Sequence, residues 1–292
     1  METFSGAENI NRDLEELDRA IDTLIGLGFA VSLDMHPGDK LGRLHVGEPQ
    51  SFFILVEGLW RQLVRRYAGR SPDRLFFEVL NEPGVSRAIW EKQGPRLAQA
   101  IRSQAPEHTI IYGGANFQRI DGLAQLSPLA DPNVVYAVHF YDPMIFTHQG
   151  QDWSEDPLRY IQRVPFPARA DDPMVITLLD RLAEEGRNDA VALLRKELRK
   201  PWTEERIAPG VALAAPWITR QRRPVIMNEF GVLARKAPTV DRARWLETVR
   251  RAAEAHCIGW AHWEYADDFG FLRRVGDREI ADEAVLKALL AP

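Results

Sequence analysis

The sequence predicts an α/β fold of the (β/α)-barrel type, and three observations carry that reading. Short β-rich runs alternate with longer amphipathic stretches along the 292 residues, the pattern that builds a parallel sheet covered on both faces. No Gly-rich phosphate loop follows the first strand, which argues against a dinucleotide-binding doubly wound sheet. Polar residues also collect at the C-terminal ends of several strands, where barrel enzymes carry their chemistry. Barrels of ~250 residues form one domain, so a single domain over 1–292 is expected, with a long helical insertion at about 142–223.

The elements follow in order. Asn11 to Leu27 reads as a helix with Leu14, Leu17, Ile21, Leu24 and Ile25 as its apolar stripe, and Gly28 ends it. Phe29 to Asp34 is a buried strand, Ser51 to Tyr67 a helix and Arg74 to Leu80 the next strand. Val85 to Gln104 is helical, Thr109 to Tyr112 is a strand, a short helix is expected after Asn116, and Asn133 to Phe140 is a strand. The stretch from Asp142 to Arg223 breaks this rhythm with an aromatic- and Pro-rich loop, a charged helix from Met174 to Leu198 and a helix from Thr203 to Thr219. Then come a strand from Pro224 to Glu229, a helix from Val240 to Ala255, a strand from Cys257 to Trp263 and a closing helix from Ala281 to Leu290. That makes six strands, where a closed barrel of this type uses eight.

Composition excludes several function classes. Thirty-seven basic residues against 42 acidic ones give a net charge of −5 without a basic block, so nucleic acid is not an expected partner. No apolar run approaches the ~20 residues needed to span a bilayer. The single cysteine, Cys257, permits neither an internal disulfide nor a Cys-based zinc site, and its apolar neighbourhood reads as core. Met1 to Ile10 lacks a cationic start and an apolar segment and does not read as a signal peptide.

The informative residues are Asp34-Met-His36, Asn81-Glu82-Pro83, Asn116, His139-Phe-Tyr141, Asn228-Glu229-Phe-Gly231 and Trp263-Glu-Tyr265. A carboxylate at the end of a buried strand is costly unless it is paired, hydrogen-bonded or used. Here two glutamates each follow an asparagine and a β-rich run, which turn chemistry does not explain. In the long loop, Trp153 and Phe146 are candidate ligand contacts. Trp60, Trp90 and Trp245 read as core.

Asn81-Glu82-Pro83 after Leu75-Phe-Phe-Glu-Val-Leu80, and Glu229-Phe-Gly231 after a strand, resemble the motifs of glycoside hydrolase family 5. His139-Phe-Tyr141, Leu33-Asp-Met-His36 and Trp260-Ala-His-Trp263 are similar to further motifs of that family. The resemblance runs from Leu17 to Phe271 and implies a (β/α)8 barrel lacking its first two strands, along with the arginine that closes the second. It implies a retaining endo-β-1,4-glucanase, with a β-mannanase as the alternative. It needs no cofactor or metal and acts in a secreted or periplasmic setting if a leader precedes this sequence. Glu82 would be the acid/base and Glu229 the nucleophile. Retention requires two carboxyl groups ~5–5.5 Å apart, and two charges that close leave one carboxyl protonated until the other becomes an ester. Asn81 would bind the sugar 2-hydroxyl, Tyr141 would donate to Glu229 beside His139, His36 would meet a sugar hydroxyl, and Trp263 would stack on a pyranose. Two other readings stand beside this one. A non-catalytic carbohydrate-binding barrel fits the missing strands, and a metal-dependent hydrolase would use Asp34 and His36. Open sheet edges also make a homodimer an expectation.

Overall fold

The computed structural model describes residues 7–154, 157–276 and 278–291. The first six residues of the segment read as lacking a signal peptide lie outside that range. In chain order the elements are α1 (Ala7–Gly26), β1 (Val31–Asp34), α2 (Asp39–Gly47), α3 (Pro49–Tyr67), β2 (Leu75–Glu78), α4 (Arg87–Arg102), β3 (Ile110–Gly113) and β4 (Val134–Phe140). They continue with α5 (Met144–Thr147), α6 (Pro173–Glu184), α7 (Asn188–Glu197), α8 (Glu204–Val211), α9 (Ala215–Gln221), β5 (Val225–Phe230) and α10 (Thr239–Ala255). The chain ends with β6 (Gly259–Trp260), β7 (Leu272–Val275), β8 (Arg278–Ala281) and α11 (Glu283–Leu290). The six strands β1 to β6 form one sheet in sequential order, parallel at each recorded pair, and β7 and β8 make a separate antiparallel hairpin. This is the α/β barrel-type arrangement expected, with six strands in the parallel sheet among the described residues.

The chain divides into two compact units. One runs to Val138 and includes Ile218–Val225; the other is His139–Trp217 with Ile226 onward. In the first unit, β2, β3 and the start of β4 are largely buried on both faces, with Leu75, Phe77, Ile110 and Tyr136 fully buried, as strands covered on both sides require; β1 is less covered, with Ser32 exposed. Two helical tryptophans tie their helices to strand-end carbonyls. Trp60 Nε1 on α3 donates to the Val79 carbonyl at 2.8 Å, and Trp90 Nε1 on α4 donates to that of Gly113 at 2.9 Å. Burial of such large side chains costs little when the indole N–H finds an acceptor. On the outside, Arg66 pairs with Asp18, and Arg70 Nε donates to Asp22 at 2.7 Å, joining α3 to α1.

In the second unit the predicted insertion carries a core of its own. Ile145, Leu158, Ile161, Val164, Val175, Leu178, Leu182, Leu194 and Leu198 pack together. The charged helix expected from Met174 to Leu198 is two helices, α6 and α7. The turn between them closes through the Arg187 N–H to the Leu182 carbonyl at 2.8 Å, and the break lets both helices press apolar faces onto the same cluster. Phe146 is not a ligand contact, because the short helix α5 turns it inward against Phe166, with ring centroids 5.5 Å apart, and it is fully buried. Cys257 is exposed rather than core, sitting in left-handed backbone (φ 54°) where α10 ends. That turn also shortens the strand expected from Cys257 to Trp263. Beyond β6, backbone bonds still run from Ala261 N–H to Met227 and from Trp263 N–H to Phe230.

One buried and one partly buried histidine make acid stability testable. His45 on α2 is 2% exposed and stacks on Phe52, with centroids 4.2 Å apart. Burial pushes its pKa down to about 4. His262 is pushed down to about 4 by burial, with the nearby Arg242 charge adding to it. Both are neutral in the folded chain, whereas in the unfolded chain they take up protons near the ordinary value of 6.5. Their contribution is therefore fully present above pH ~6.5 and is lost as pH falls toward ~4, on the order of 3 kcal/mol for each. Urea midpoints measured between these limits should fall with pH, and His45→Leu should flatten that slope. An unchanged slope in the variant would contradict the assignment.

Candidate active-site residues

In the first unit the candidates lie where β1 and β2 end. The β1–β2 register pairs Asp34 with Glu78. Beyond it the Asn81 N–H donates to the Met35 carbonyl at 3.0 Å, which sets Asn81 beside the end of β1. The Asn81 amide Nδ2 lies 3.2 Å from His36 Nε2, and His36 Nδ1 lies 3.2 Å from Asp34 Oδ2. An amide nitrogen can only donate, so Nε2 accepts and Nδ1–H points to Asp34. Asp34 thereby orients an exposed His36, which in turn holds a buried Asn81. Among the described residues, Asp34 and His36 belong to no cluster of three or more metal-capable side chains.

Glu82 follows in a left-handed conformation (φ 47°), partly exposed. Its backbone N–H donates to Gln118 Oε1 at 2.6 Å, and Gln118 Nε2 donates to Glu78 Oε1 at 3.1 Å. Gln118 has no motif around it and sequence reading passes over it, although Asn116, two residues earlier, draws notice as a polar strand-end residue. Phe117, half exposed, lies on the same turn. Together with Gly84, Arg87, Trp90, Asn116 and Gln125 it lines a cavity of about 360 Å³.

In the second unit Glu229 lies near the end of β5 and is 7% exposed. Its Oε2 accepts from Tyr141 Oη at 3.0 Å and lies 3.3 Å from His139 Nδ1. His139 belongs to β4 and Tyr141 follows it by two residues, so both side chains leave the strand on one side. The two donors stabilise a carboxylate that is nearly out of water, where an unpaired charge would be expensive.

Gly231 is required by close approach: a Cβ there would collide with the Trp263 carbonyl. That approach lets the Trp263 N–H reach the Phe230 carbonyl at 2.9 Å, holding a partly exposed Trp263 next to β5. Tyr141 is flanked by His148 (centroids 4.9 Å apart) and Phe269 (6.0 Å). Trp153, 54% exposed, continues this strip from His148 and Phe269. The buried Arg242 donates to the carbonyls of Val232, Phe269 and Gly270 and so fixes the turn that carries Phe269. His148 and Phe269 were not singled out from the sequence, since a lone histidine and a lone phenylalanine in loops carry no pattern.

The model of the cellulase family, glycosyl hydrolase family 5, matches residues 3–266. The chain belongs to glycosyl hydrolase family 5. This family 5 chain is 28% identical over 263 residues to Endoglucanase 3 of Fibrobacter succinogenes, covering 88% of its own length and 39% of that protein. It is also 28% identical over 262 residues to Endoglucanase C of Acetivibrio thermocellus, covering 86% of its length and 72% of that relative. Endoglucanase Cel5A of Thermotoga maritima shares the fold with a TM-score of 0.76 at 26% identity, over 96% of this chain and 78% of that one. Structures of that neighbour include complexes with cellobiose and with mannotriose.

Proposed function

We propose that this family 5 chain is a retaining endo-β-1,4-glucanase in which Glu229 is the nucleophile and Glu82 the acid/base. The observation that carries the reading is the seating of Glu229, a buried carboxylate with Tyr141 and His139 both directed at one oxygen. That arrangement holds the carboxylate in place and defines the direction of its attack.

In the proposed sequence Glu82 gives its proton to the glycosidic oxygen while a Glu229 oxygen attacks the anomeric carbon, and the aglycone leaves. Glu82, now ionised, takes a proton from water as the water attacks the same carbon. The Glu229 ester is released and the configuration is retained. Asn81, held by His36, keeps its amide oxygen and its second N–H for the sugar 2-hydroxyl, while both ring nitrogens of His36 are engaged by Asn81 and Asp34. Trp263 and the exposed Trp153 offer apolar faces to pyranose rings.

The endoglucanases among the relatives favour β-1,4-glucan as substrate. A second reading, β-mannan, is favoured by the mannotriose complex of the Thermotoga maritima neighbour. Reducing-sugar release from soluble β-1,4-glucan and β-mannan tests both. Faster turnover of glucan is expected, unchanged by EDTA. A folded sample that binds oligosaccharide without turning it over would make the chain a carbohydrate-binding barrel instead. Among the described residues β1 and β6 each pair on one side only, and such edges favour association of two copies. Light scattering reads this directly, and a monomeric mass removes it.

A further inference from the structure

We infer that Gln118 is a positioning residue for Glu82, setting the direction from which the proton is delivered. The inference rests on the reading of Glu82 as the acid/base.

The loop after β3 grips the Glu82 backbone. Gln118 is 1% exposed and accepts the Glu82 N–H through Oε1, while the Phe117 N–H points at the Pro83 carbonyl 3.5 Å away. Glu82 itself is in the left-handed region, which side-chain-bearing residues seldom adopt and which surrounding structure must enforce. The loop adopts the same unusual backbone: Asn116, Phe117 and Gln118 all have positive φ (62°, 59° and 52°). Three successive residues of that kind turn the Gln118 side chain back under the strands. Gly113 clears the space, since a Cβ there would collide with the Gln118 amide.

An amide suits this place because it faces two different demands. The Glu82 N–H needs an acceptor, and the Glu78 carboxylate, 3% exposed on β2, needs a donor. Only one orientation of the glutamine amide satisfies both, so the group cannot flip without losing two bonds. A carboxylate here would meet Glu78 with like charge, and on β1 Asp34 stands in register with Glu78. An apolar side chain would leave the partly buried Glu82 N–H without this acceptor.

The test compares two leaving groups. Glycosylation of the enzyme by a cellooligosaccharide needs an acid to protonate the departing sugar, whereas release of 2,4-dinitrophenol from its β-cellobioside does not. Gln118→Met should lower kcat/KM for cellotetraose about 10- to 100-fold, as expected for a misaligned catalytic group, and change the dinitrophenyl substrate by less than about 3-fold. Equal losses on both, or no loss on either, would overturn the inference. Glu82→Gln serves as the reference. If it lacks the leaving-group difference, the acid/base reading itself fails; if it shows the difference and Gln118→Met does not, only the role of Gln118 fails.

Gln118→Glu keeps the shape and guards against misfolding. Its carboxyl, when protonated, can donate to Glu78 and accept from the Glu82 N–H; when ionised it faces Glu78 with like charge. Its activity relative to the parent should be near normal at acid pH and fall about 5-fold or more toward neutral pH. A ratio independent of pH would overturn the inference.

Discussion

Glu229→Ala is expected to lose on the order of 10⁵-fold in kcat, about 7 kcal/mol of barrier lowering, with the fold intact. If Glu229 is the nucleophile as proposed, its removal abolishes the covalent route, and binding with proton donation by Glu82 would not compensate. The removal also leaves a small void lined by Tyr141 and His139, which normally share the Glu229 oxygen. Azide can enter such a void and attack the anomeric carbon directly. The product expected is the α-glycosyl azide, with inverted configuration, detected by NMR. Recovery of the β-azide would place Glu229 in the other role, and unaltered turnover would remove it from the chemistry.

Glu82→Gln is expected to reduce turnover of β-1,4-glucan 10²- to 10⁴-fold, the usual contribution of a positioned acid or base. The effect should divide by step. With a dinitrophenyl glycoside the ester on Glu229 still forms, but water then lacks its base, so a burst of dinitrophenol precedes slow turnover. Azide needs no base and should restore turnover, giving the β-azide with retained configuration. Opposite azide stereochemistry at the two glutamates separates attack from proton transfer without reference to absolute rates. A Glu82 variant with no burst and no azide response would remove that residue from the acid/base role.

The parallel sheet was legible because its strands are continuous apolar runs, such as Leu75-Phe-Phe and Val134-Val-Tyr. The run ends at polar groups because the sheet ends there, which is why Glu229, His139, Tyr141, Asn81 and Glu82 stood out. Elements held together by other means were missed. Helix α2 is only nine residues long, with Gly42 inside it and a buried His45 near its end. Hairpin β7–β8 is rich in charge, with Arg273, Arg274, Arg278 and Glu279 where a strand normally alternates. Trp60 and Trp90 read as core from helical spacing alone, and both lie there. Gln118 was beyond reach, because its contact with Glu82 spans 36 positions and depends on three left-handed residues. No periodicity records a backbone turn of that kind. Phe146 failed in the opposite direction: a loop aromatic suggests a ligand until the loop proves to be a helix packed on its own cluster.

The placement of the indoles gives the protein a built-in optical contrast. Trp60, Trp90, Trp217 and Trp245 are at most 1% exposed, and three of them donate to a backbone carbonyl, while Trp153 is 54% exposed beside Phe269. Emission from the first group is shielded from a dissolved quencher such as iodide, and emission from Trp153 is open to it. A polysaccharide chain lying over Trp153 would reduce the quenchable part of the signal, which the partly exposed Trp202, Trp260 and Trp263 share, and leave the emission of the four buried indoles unchanged, so occupancy of that surface can be followed in unlabelled protein.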